Sequence, residues 1–455
     1  MIQLPNGPTR SPWLQLIDWV IRPLDYMESC ARDHQDIFTA RFGKRTIVMV
    51  NHPQAMQEML TGNAFEAPGE RNDIVRPLVG DNSMLLLSGD RHKKRRKLLM
   101  PPFHGERMRN YGQIICTIAE KVANEWATGQ SFIARDSMQE ITMRVILRAV
   151  FGLDEGPRLE KIKELLATRL NMTGNLLGAM VIFFPFLQKD LGPWSPWGRI
   201  RQKQRQIDEL LYAEIADRRA NPDPDRTDIL SLLLSARDEE GKGMSDIELR
   251  DELITLLVAG HETTATTLAW ALYWIHLLPE VKEKLLEELD TLPENPEPMD
   301  IFRLPYLTAV CNETLRIYPV AMLTFPRVPR SPVELMGNQL EPGVTVIGLI
   351  YLTHHREDLY PEPKKFKPER FLDRQFSPYE FIPFGAGDRR CIGMALAQFE
   401  MKLVLATILL KTDLGLANSQ PVKPERRGVL LAPKGGIEMV MKGSRNPSKS
   451  KLMAV

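Results

Sequence analysis

The feature that most constrains this chain is a short glycine-rich loop in the last fifth of its 455 residues. Residues 384–393 read Phe-Gly-Ala-Gly-Asp-Arg-Arg-Cys-Ile-Gly, and an apolar stretch with helical spacing, 394–410, follows directly. Glycines allow a tight turn that brings backbone N–H groups towards the sulfur of Cys391, and the start of the following helix stabilises a thiolate. We therefore interpret Cys391 as a ligand of iron. The alternative, a buried structural cysteine, leaves Phe384 and Arg389 unexplained at their positions.

The spacing within this loop matches a known pattern. Phe384, Gly387, Arg389, Cys391 and Gly393 stand at the positions that define the haem-binding loop of the cytochrome P450 monooxygenases, which the loop resembles. The resemblance implies a mainly α fold with a small β-sheet subdomain. It places haem b between a long central helix and the loop and helix of the cysteine ligand. It also implies that Phe384, Arg389 and Gly393 contact the haem, Arg389 through a propionate.

A second motif lies within a long predicted helix. Ser245 and Glu248 have the spacing of a capping box, and no proline follows before Pro279, so we predict one helix over 246–278. Its centre, 259–264, reads Ala-Gly-His-Glu-Thr-Thr, which includes poor helix formers. The weakest helix formers therefore stand in the middle of the most apolar helix.

This hexapeptide resembles the oxygen-binding segment of the P450s. By that resemblance, Ala259 and Gly260 leave room beside the iron for dioxygen and substrate. Thr263 donates a hydrogen bond to the oxygen, and Glu262 supplies protons through water. The alternative is a bent structural helix whose buried acid is satisfied by the backbone. A zinc site of the His-Glu-x-x-His type is excluded, because position 265 is Ala265 and one imidazole cannot hold a catalytic zinc ion.

Two further motifs predict a charge network. Glu313 and Arg316 share a helix face, a spacing that by itself is common in surface ion pairs. Together with Pro-Glu-Arg-Phe at 368–371, however, they resemble a pair of P450 motifs. That resemblance implies that Glu313, Arg316 and Arg370 form a buried network with a structural role, which holds the loop leading to Cys391.

Residues 91–97 contain six Arg or Lys and one His at the start of a predicted helix. A solvated face is the simplest interpretation of such a run. At this point P450s usually have a Trp and an Arg that contact a haem propionate, and this chain has His92 and Arg96; His can also donate to a carboxylate. The resemblance adds Arg327 as a propionate ligand. It further implies that the basic face near Arg390 binds a ferredoxin or flavodoxin-type electron donor.

The resemblance places apolar residues around the substrate. The predicted pocket residues come from a long loop at 63–88, from the segment after Pro319 and from a turn near the C-terminus: Met84, Leu85, Val320, Ala321, Met322, Leu323 and Val429. The phenylalanine-rich stretch 176–187 is either core or a mobile lid, and contact with a membrane surface stays open. Such a pocket favours a long-chain fatty acid or a terpenoid.

Arg45 is a hypothetical anchor for a carboxylate, although an exposed Arg in a hairpin is usually only solvated.

Composition sets further bounds. No apolar run is long enough for a membrane span, and the first twelve residues contain Pro5 and Pro8 where a signal or anchor would be hydrophobic. The four cysteines lack paired spacing, which argues against disulfides. A formal net charge of +1 gives no indication of nucleic-acid binding. We expect a soluble, cytoplasmic monomer forming one domain over residues 1–455, with a β-rich part in 1–90 and a polar tail at 443–455.

Taken together, the motifs predict a haem-thiolate monooxygenase. It would insert one atom of O2 into an unactivated C–H or C=C bond of a large apolar substrate, with NAD(P)H acting only indirectly through separate redox proteins. A thiolate-haem peroxygenase or isomerase needs no proton relay, and a non-catalytic haem sensor needs only the cysteine. The pair Glu262 and Thr263 argues against both alternatives.

Overall fold

The computed structural model describes residues 4–103, 105–152, 156–223, 225–238 and 240–445. Of the predicted polar tail, 443–455, the first two residues belong to the last strand, which runs to Ser444. Positions 446–455 lie outside the described residues.

Helices account for most of the described chain, as the sequence predicts. The first nine are α1 (Pro12–Ile21), α2 (Pro23–His34), α3 (Pro53–Thr61), α4 (Arg76–Val79), α5 (Gly89–Leu99), α6 (Glu106–Ala123), α7 (Ala134–Phe151), α8 (Pro157–Gly174) and α9 (Leu176–Phe183). The others are α10 (Pro196–Ala220), α11 (Ile229–Ser235), α12 (Asp246–Leu277), α13 (Pro279–Leu289), α14 (Pro298–Phe302), α15 (Pro305–Ile317), α16 (Ile350–His354), α17 (Arg370–Asp373) and α18 (Met394–Lys411).

The strands are short and form small sheets at the edge of the helical body. They are β1 (Ile37–Phe42), β2 (Arg45–Val50), β3 (Phe65–Glu66), β4 (Ser131–Ile133), β5 (Val328–Pro329), β6 (Val333–Leu335), β7 (Asn338–Leu340), β8 (Thr345–Gly348), β9 (Thr412–Leu416), β10 (Pro424–Arg427), β11 (Leu430–Pro433) and β12 (Glu438–Ser444). Strands β1 and β2 form an antiparallel hairpin over 37–50, and β8 pairs in parallel with β2. Strands β10 and β11 form a second antiparallel hairpin.

Helix α12 crosses the centre of the molecule. Its capping box forms as predicted, because the Ser245 side chain accepts from the Glu248 amide and the Glu248 carboxylate accepts from the Ser245 amide. The helix has 32 residues and ends one residue before the predicted Leu278; its length is about 48 Å at 1.5 Å per residue. It packs along α7 and also contacts α10, α15 and α18. Most of its side chains are therefore buried in the main core.

The stretch 176–187 has both core and cavity-facing parts. Val181 and Ile182 of α9 are buried, whereas Leu177 on the same helix is 68% exposed. The residues that follow, from Phe183 to Phe186, line a cavity described below. Within the described part of the chain, no helix combines the length and the apolarity required to cross a bilayer.

Candidate active site

The loop before α18 is held in a conformation that needs glycine. Gly385 and Gly387 have φ angles of 66° and 67°, in the left-handed region that other residues rarely adopt. A Cβ atom on Gly387 would also lie 2.1 Å from the carbonyl oxygen of Leu60. The amide of Cys391 donates to the Phe384 carbonyl at 2.9 Å, which closes the loop. These contacts fix the cysteine at the entry of α18.

The surroundings of Cys391 act in opposite directions on the pKa of its thiol. Burial raises the pKa of its thiol, whereas a hydrogen bond from the Gly393 amide and the charges of Arg96 and Arg390 lower it. Part of the residue's surface is nevertheless exposed, and because it lies deep in the molecule this surface must face an internal space. A sulfur in this position fits a ligand that binds from inside the protein.

On α12, two residues one turn apart are also accessible in the middle of the core. Ala259 is exposed and Thr263 is half-buried, although most residues of this helix are buried. The Thr263 hydroxyl donates to the Ala259 carbonyl at 2.7 Å, and residues at i and i+4 share a helix face. This face of α12 therefore borders open space in the interior of the protein, as a prosthetic group beside the helix requires.

Gly260 points elsewhere and corrects one expectation. A Cβ atom at this position would meet Cδ1 of Ile146 on α7 at 2.8 Å. The small residue at 260 thus allows α7 to pack closely on α12, and the room beside Thr263 is provided by Ala259. The two adjacent residues lie about 100° apart around the helix, which is why they face different neighbours.

The predicted propionate ligands form one basic cluster. His92, Arg96, Arg327 and Arg389 lie close enough to interact electrostatically with one another or with the acid Asp388, and Arg389 also interacts with Glu70. Arg327 Nη2 lies 3.2 Å from Asp388 Oδ1. Burial, together with Arg389 and other cations, lowers the pKa of His92 to about 4, so this imidazole is neutral at pH 7. The three guanidinium groups outnumber the two acids near them, Asp388 and Glu70, so the cluster suits a ligand that carries carboxylates.

Arg389 has a further role in holding the protein together. Its two Nη atoms donate to the backbone carbonyls of Met84, Ala67 and Leu87 in the loop at 63–88. Its Nε atom is buried and has no hydrogen-bond partner within the described residues. Arg389 therefore links the cysteine loop to the loop at 63–88, and its contact with a propionate stays a prediction.

Glu262 lies in a cluster that the sequence does not reveal. Its Oε1 accepts from Arg135 Nη2 at 3.0 Å and from Arg427 Nε at 2.9 Å, and its Oε2 accepts from Gln139 Nε2 at 2.6 Å. Burial alone would raise the pKa of Glu262, but Arg135 and Arg427 hold it below the usual value. The carboxylate is thus ionised, and both its oxygens are engaged by protein donors.

The predicted ion network is assembled. Arg316 donates to both carboxylate oxygens of Glu313, at 2.7 and 2.8 Å, and Arg370 Nε donates to Glu313 Oε1 at 3.1 Å. Arg316 also donates to the His354 carbonyl, and His354 Nε2 accepts from the Ile382 amide at 2.9 Å. His354, which sequence reasoning missed, therefore connects this network to the chain entering the cysteine loop.

A cavity of about 950 Å³ lies next to this site. Four of the predicted pocket residues line it: Ala321, Met322, Leu323 and Val429. The other three, Met84, Leu85 and Val320, are not among its lining residues. Phe325 lines the cavity and its ring also packs against the Arg389 guanidinium at 4.3 Å, which places the cavity beside the cysteine loop.

Arg45 lines the same cavity but has an acidic partner. Its Nη2 atom lies 2.8 Å from Asp73 Oδ2, and the two side chains are 51% and 41% exposed. A solvated ion pair of this kind contributes little net charge to the cavity.

The basic stretch 91–97 divides between the surface and the interior. Lys93 and Lys94 are exposed on α5, as is Arg390 next to the cysteine. Arg95 points inward and pairs with Glu248 at 2.6 Å and with Glu252 at 2.8 Å on α12. The run is therefore only partly a solvated face.

The comparison with known families identifies the chain. A family model described as Cytochrome P450 matches residues 5–440. The chain belongs to the cytochrome P450 family. P450s hold haem b, use O2 as co-substrate and receive electrons from redox partners, and the cluster around Cys391 fits that group. The predicted family, cofactor and enzyme class are thus confirmed.

Relatives of this P450 cover nearly its whole length. "Putative cytochrome P450 135B1" of Mycobacterium tuberculosis is 36% identical, over 98% of this chain and 93% of the relative. "Putative cytochrome P450 138" of the same organism is 34% identical, over 97% of both chains. Among solved structures, "Retinoic acid bound cyanobacterial CYP120A1" superposes with a TM-score of 0.85 at 24% identity, covering 98% of this chain and 100% of the other. The predicted fold is therefore confirmed as well.

Proposed function

We propose that this P450 oxygenates large apolar molecules, long-chain fatty acids or terpenoids, by hydroxylation or epoxidation. The observation that carries the proposal is the cavity of about 950 Å³ beside the cysteine loop, whose walls include Phe183, Phe184, Met322, Leu323 and Val429. Burial of apolar surface contributes roughly 25 cal/mol per Å². Such walls therefore favour a large hydrocarbon body over a small polar molecule.

Each residue of the site has its own role in the proposed reaction. Haem, when bound through Cys391, supplies the oxygen-activating chemistry of a thiolate-ligated iron. Ala259 leaves the space in which substrate and oxygen meet. Thr263 lies on the same face and holds a hydroxyl there, while the Glu262 cluster keeps an ionised carboxylate one residue away. We infer that Glu262 takes protons from water and passes them towards the Thr263 hydroxyl, which requires it to release one of its present donors.

We further propose that a ferredoxin or flavodoxin-type protein delivers electrons at the face formed by Lys93, Lys94 and Arg390. All three cations are exposed, Arg390 directly precedes Cys391, and complementary charge raises the rate of association. One domain over 1–455, a monomer and a soluble cytoplasmic location stay our expectations.

The proposal is tested by turnover with a surrogate ferredoxin system. Purified protein is supplied with NADPH, and the consumption of NADPH and O2 is measured with and without a fatty acid or a sesquiterpene. We expect substrate-dependent consumption with oxygenated product. Product formation from peroxide alone would support the peroxygenase alternative, and binding without turnover would support a haem sensor.

A further inference from the structure

The β10–β11 hairpin carries two adjacent arginines that face different parts of the protein. Arg427 reaches Glu262, as described above. Arg426, one residue earlier, points to the opposite side of the strand, as alternation predicts, and lines the apolar cavity. Val429 in the turn of the same hairpin lines that cavity as well.

The Arg426 guanidinium packs against two aromatic rings. Its Cζ atom lies 4.9 Å from the centre of the Trp19 ring and 4.9 Å from that of Phe183, and both residues line the cavity. Nη2 donates to the Trp19 carbonyl at 2.9 Å, and Nη1 lies 3.5 Å from the Gly428 carbonyl. Because a guanidinium has five N–H groups, most of its donors are left over. Its Nε has neither a hydrogen-bond partner nor contact with solvent within the described structure.

No described acid neutralises this charge. Burial lowers the pKa of the Arg426 guanidinium to about 9. The group therefore stays protonated at neutral pH. A partly buried cation without a counter-ion is costly. Both rings pack against the guanidinium, and its unpaired N–H groups suit the planar geometry of a carboxylate.

The other cations around the cavity differ from Arg426. Arg45 pairs with Asp73, and Arg76 pairs with Asp81. Arg71 donates to the Gly343 carbonyl at 3.3 Å in an exposed position, and Lys44 is exposed on the β1–β2 turn. Solvent or an acid is thus available to each of them.

We propose that Arg426 binds the carboxylate of the substrate, so that this P450 prefers long apolar carboxylic acids to the matching alcohols or hydrocarbons. The inference rests on the proposed function and narrows its substrate class. It assigns to Arg426 the anchoring role that the sequence suggested for Arg45. The aromatic rings beside the guanidinium begin the apolar surface that receives the hydrocarbon chain.

The test compares acids with alcohols of the same skeleton. Binding of tetradecanoic acid, 1-tetradecanol, farnesoic acid and farnesol to the haem-loaded protein is measured by the haem spin-state change and by equilibrium dialysis. We expect the wild type to bind each acid more tightly than its alcohol. Arg426→Gln should weaken acid binding about tenfold or more, because a hydrogen bond to a charged group is lost, and should change alcohol binding less than about twofold.

Two variants serve as controls. Arg426→Lys keeps the charge and should retain most of the preference for acids. Arg45→Gln removes a cation that already has an acidic partner, and should change acid binding by less than about threefold.

Three results would overturn the inference. They are equal binding of acid and alcohol by the wild type, equal losses for both in Arg426→Gln, or a larger loss of acid binding in Arg45→Gln. If alcohols are oxygenated and acids are not preferred, the anchor is wrong and the proposed function stands. If acids bind in an Arg426-dependent way but yield no product, the anchor stands and the proposed function is wrong. If no skeleton binds, both are wrong.

Discussion

Two charged side chains, the buried Glu262 and the partly buried Arg426, lie on opposite sides of the β10–β11 hairpin and have very different partners. Glu262 has two arginines and a glutamine as donors, with both its oxygens engaged. Arg426 has two aromatic rings and backbone carbonyls but no acid among the described residues. The Glu262 carboxylate, whose partners are all protein side chains, is a permanent part of the site. A charge left without a counter-ion beside a cavity is suited to a ligand.

The largest expected effect comes from breaking the Glu262 cluster. Arg135→Met removes one of its two cations and leaves a buried carboxylate undercompensated, so the free energy of unfolding should fall by about 3 kcal/mol or more. Urea denaturation of the haem-loaded protein measures this. Arg144→Met on the same helix is the matched control, because Arg144 pairs with Glu140 nearer the surface and should cost about 1 kcal/mol or less. Equal losses would show that the Glu262 charge is not held by its partners.

The second prediction concerns the proton relay through Glu262 and Thr263. Thr263→Ala should keep haem, fold and substrate binding but divert electrons from product into peroxide or water, since loss of a proton-transfer group typically costs about a hundredfold. The measurement is product formed per NADPH consumed. Thr267→Ala is the control, because the Thr267 hydroxyl makes the same kind of bond, to the Thr263 carbonyl, one turn further along. Full coupling in Thr263→Ala would refute the relay.

The third prediction compares the stability of the wild type, with its ionised Glu262, and of the neutral variant Glu262→Gln as a function of pH. The pKa of Glu262 is lower when folded than when unfolded, so its contribution to stability is fully present above the unfolded value of about 4.3 and is lost as pH falls through the folded value. At pH 7 the wild type should exceed Glu262→Gln by about 2 kcal/mol in free energy of unfolding. The gap should narrow below pH 4.3. A gap independent of pH would mean that the ionised form is not what the arginines stabilise.

The smallest effect is expected at the surface, where charges are solvated. Replacing Lys93 and Lys94 by Glu should slow the first electron transfer from a ferredoxin several-fold at low ionic strength, and added salt should reduce the difference. Lys161→Glu, an exposed change on α8, should have little effect. Stopped-flow reduction measures all three proteins. A rate insensitive to salt and to charge reversal at these two positions would place the donor elsewhere.

The sequence predicts best what is encoded locally. The cysteine loop, the capping box of α12 and the pair Glu313 and Arg316 each lie within ten residues, so their spacing, read with the family resemblance, predicts their local geometry. The partners of Glu262 could not be predicted, because Arg135 and Arg427 are 127 and 165 residues away in the chain. Only the packing of α7 and of the β10–β11 hairpin brings them together.

Side-chain direction is the other property that the motifs do not give. Gly260 and Ala259 belong to one motif, yet one faces Ile146 and the other faces the open interior. Arg45 and Arg426 are both arginines in hairpins, and nothing in their neighbouring residues distinguishes them. The acid opposite Arg45 and the rings around Arg426 come from distant segments. Local sequence thus predicts the haem side of the molecule better than the substrate side.

The central claim is that Cys391 holds the haem iron as a thiolate. The most direct measurement is the absorption spectrum of the reduced protein with carbon monoxide, for the wild type, for Cys391→Ala and for Cys311→Ala. Cys311 is a suitable control because burial raises the pKa of its thiol to about 12, which keeps it neutral. We expect the red-shifted band typical of thiolate-ligated haem in the wild type and in Cys311→Ala, and its loss in Cys391→Ala. An unchanged band in Cys391→Ala would show that the iron is bound elsewhere and would contradict the account.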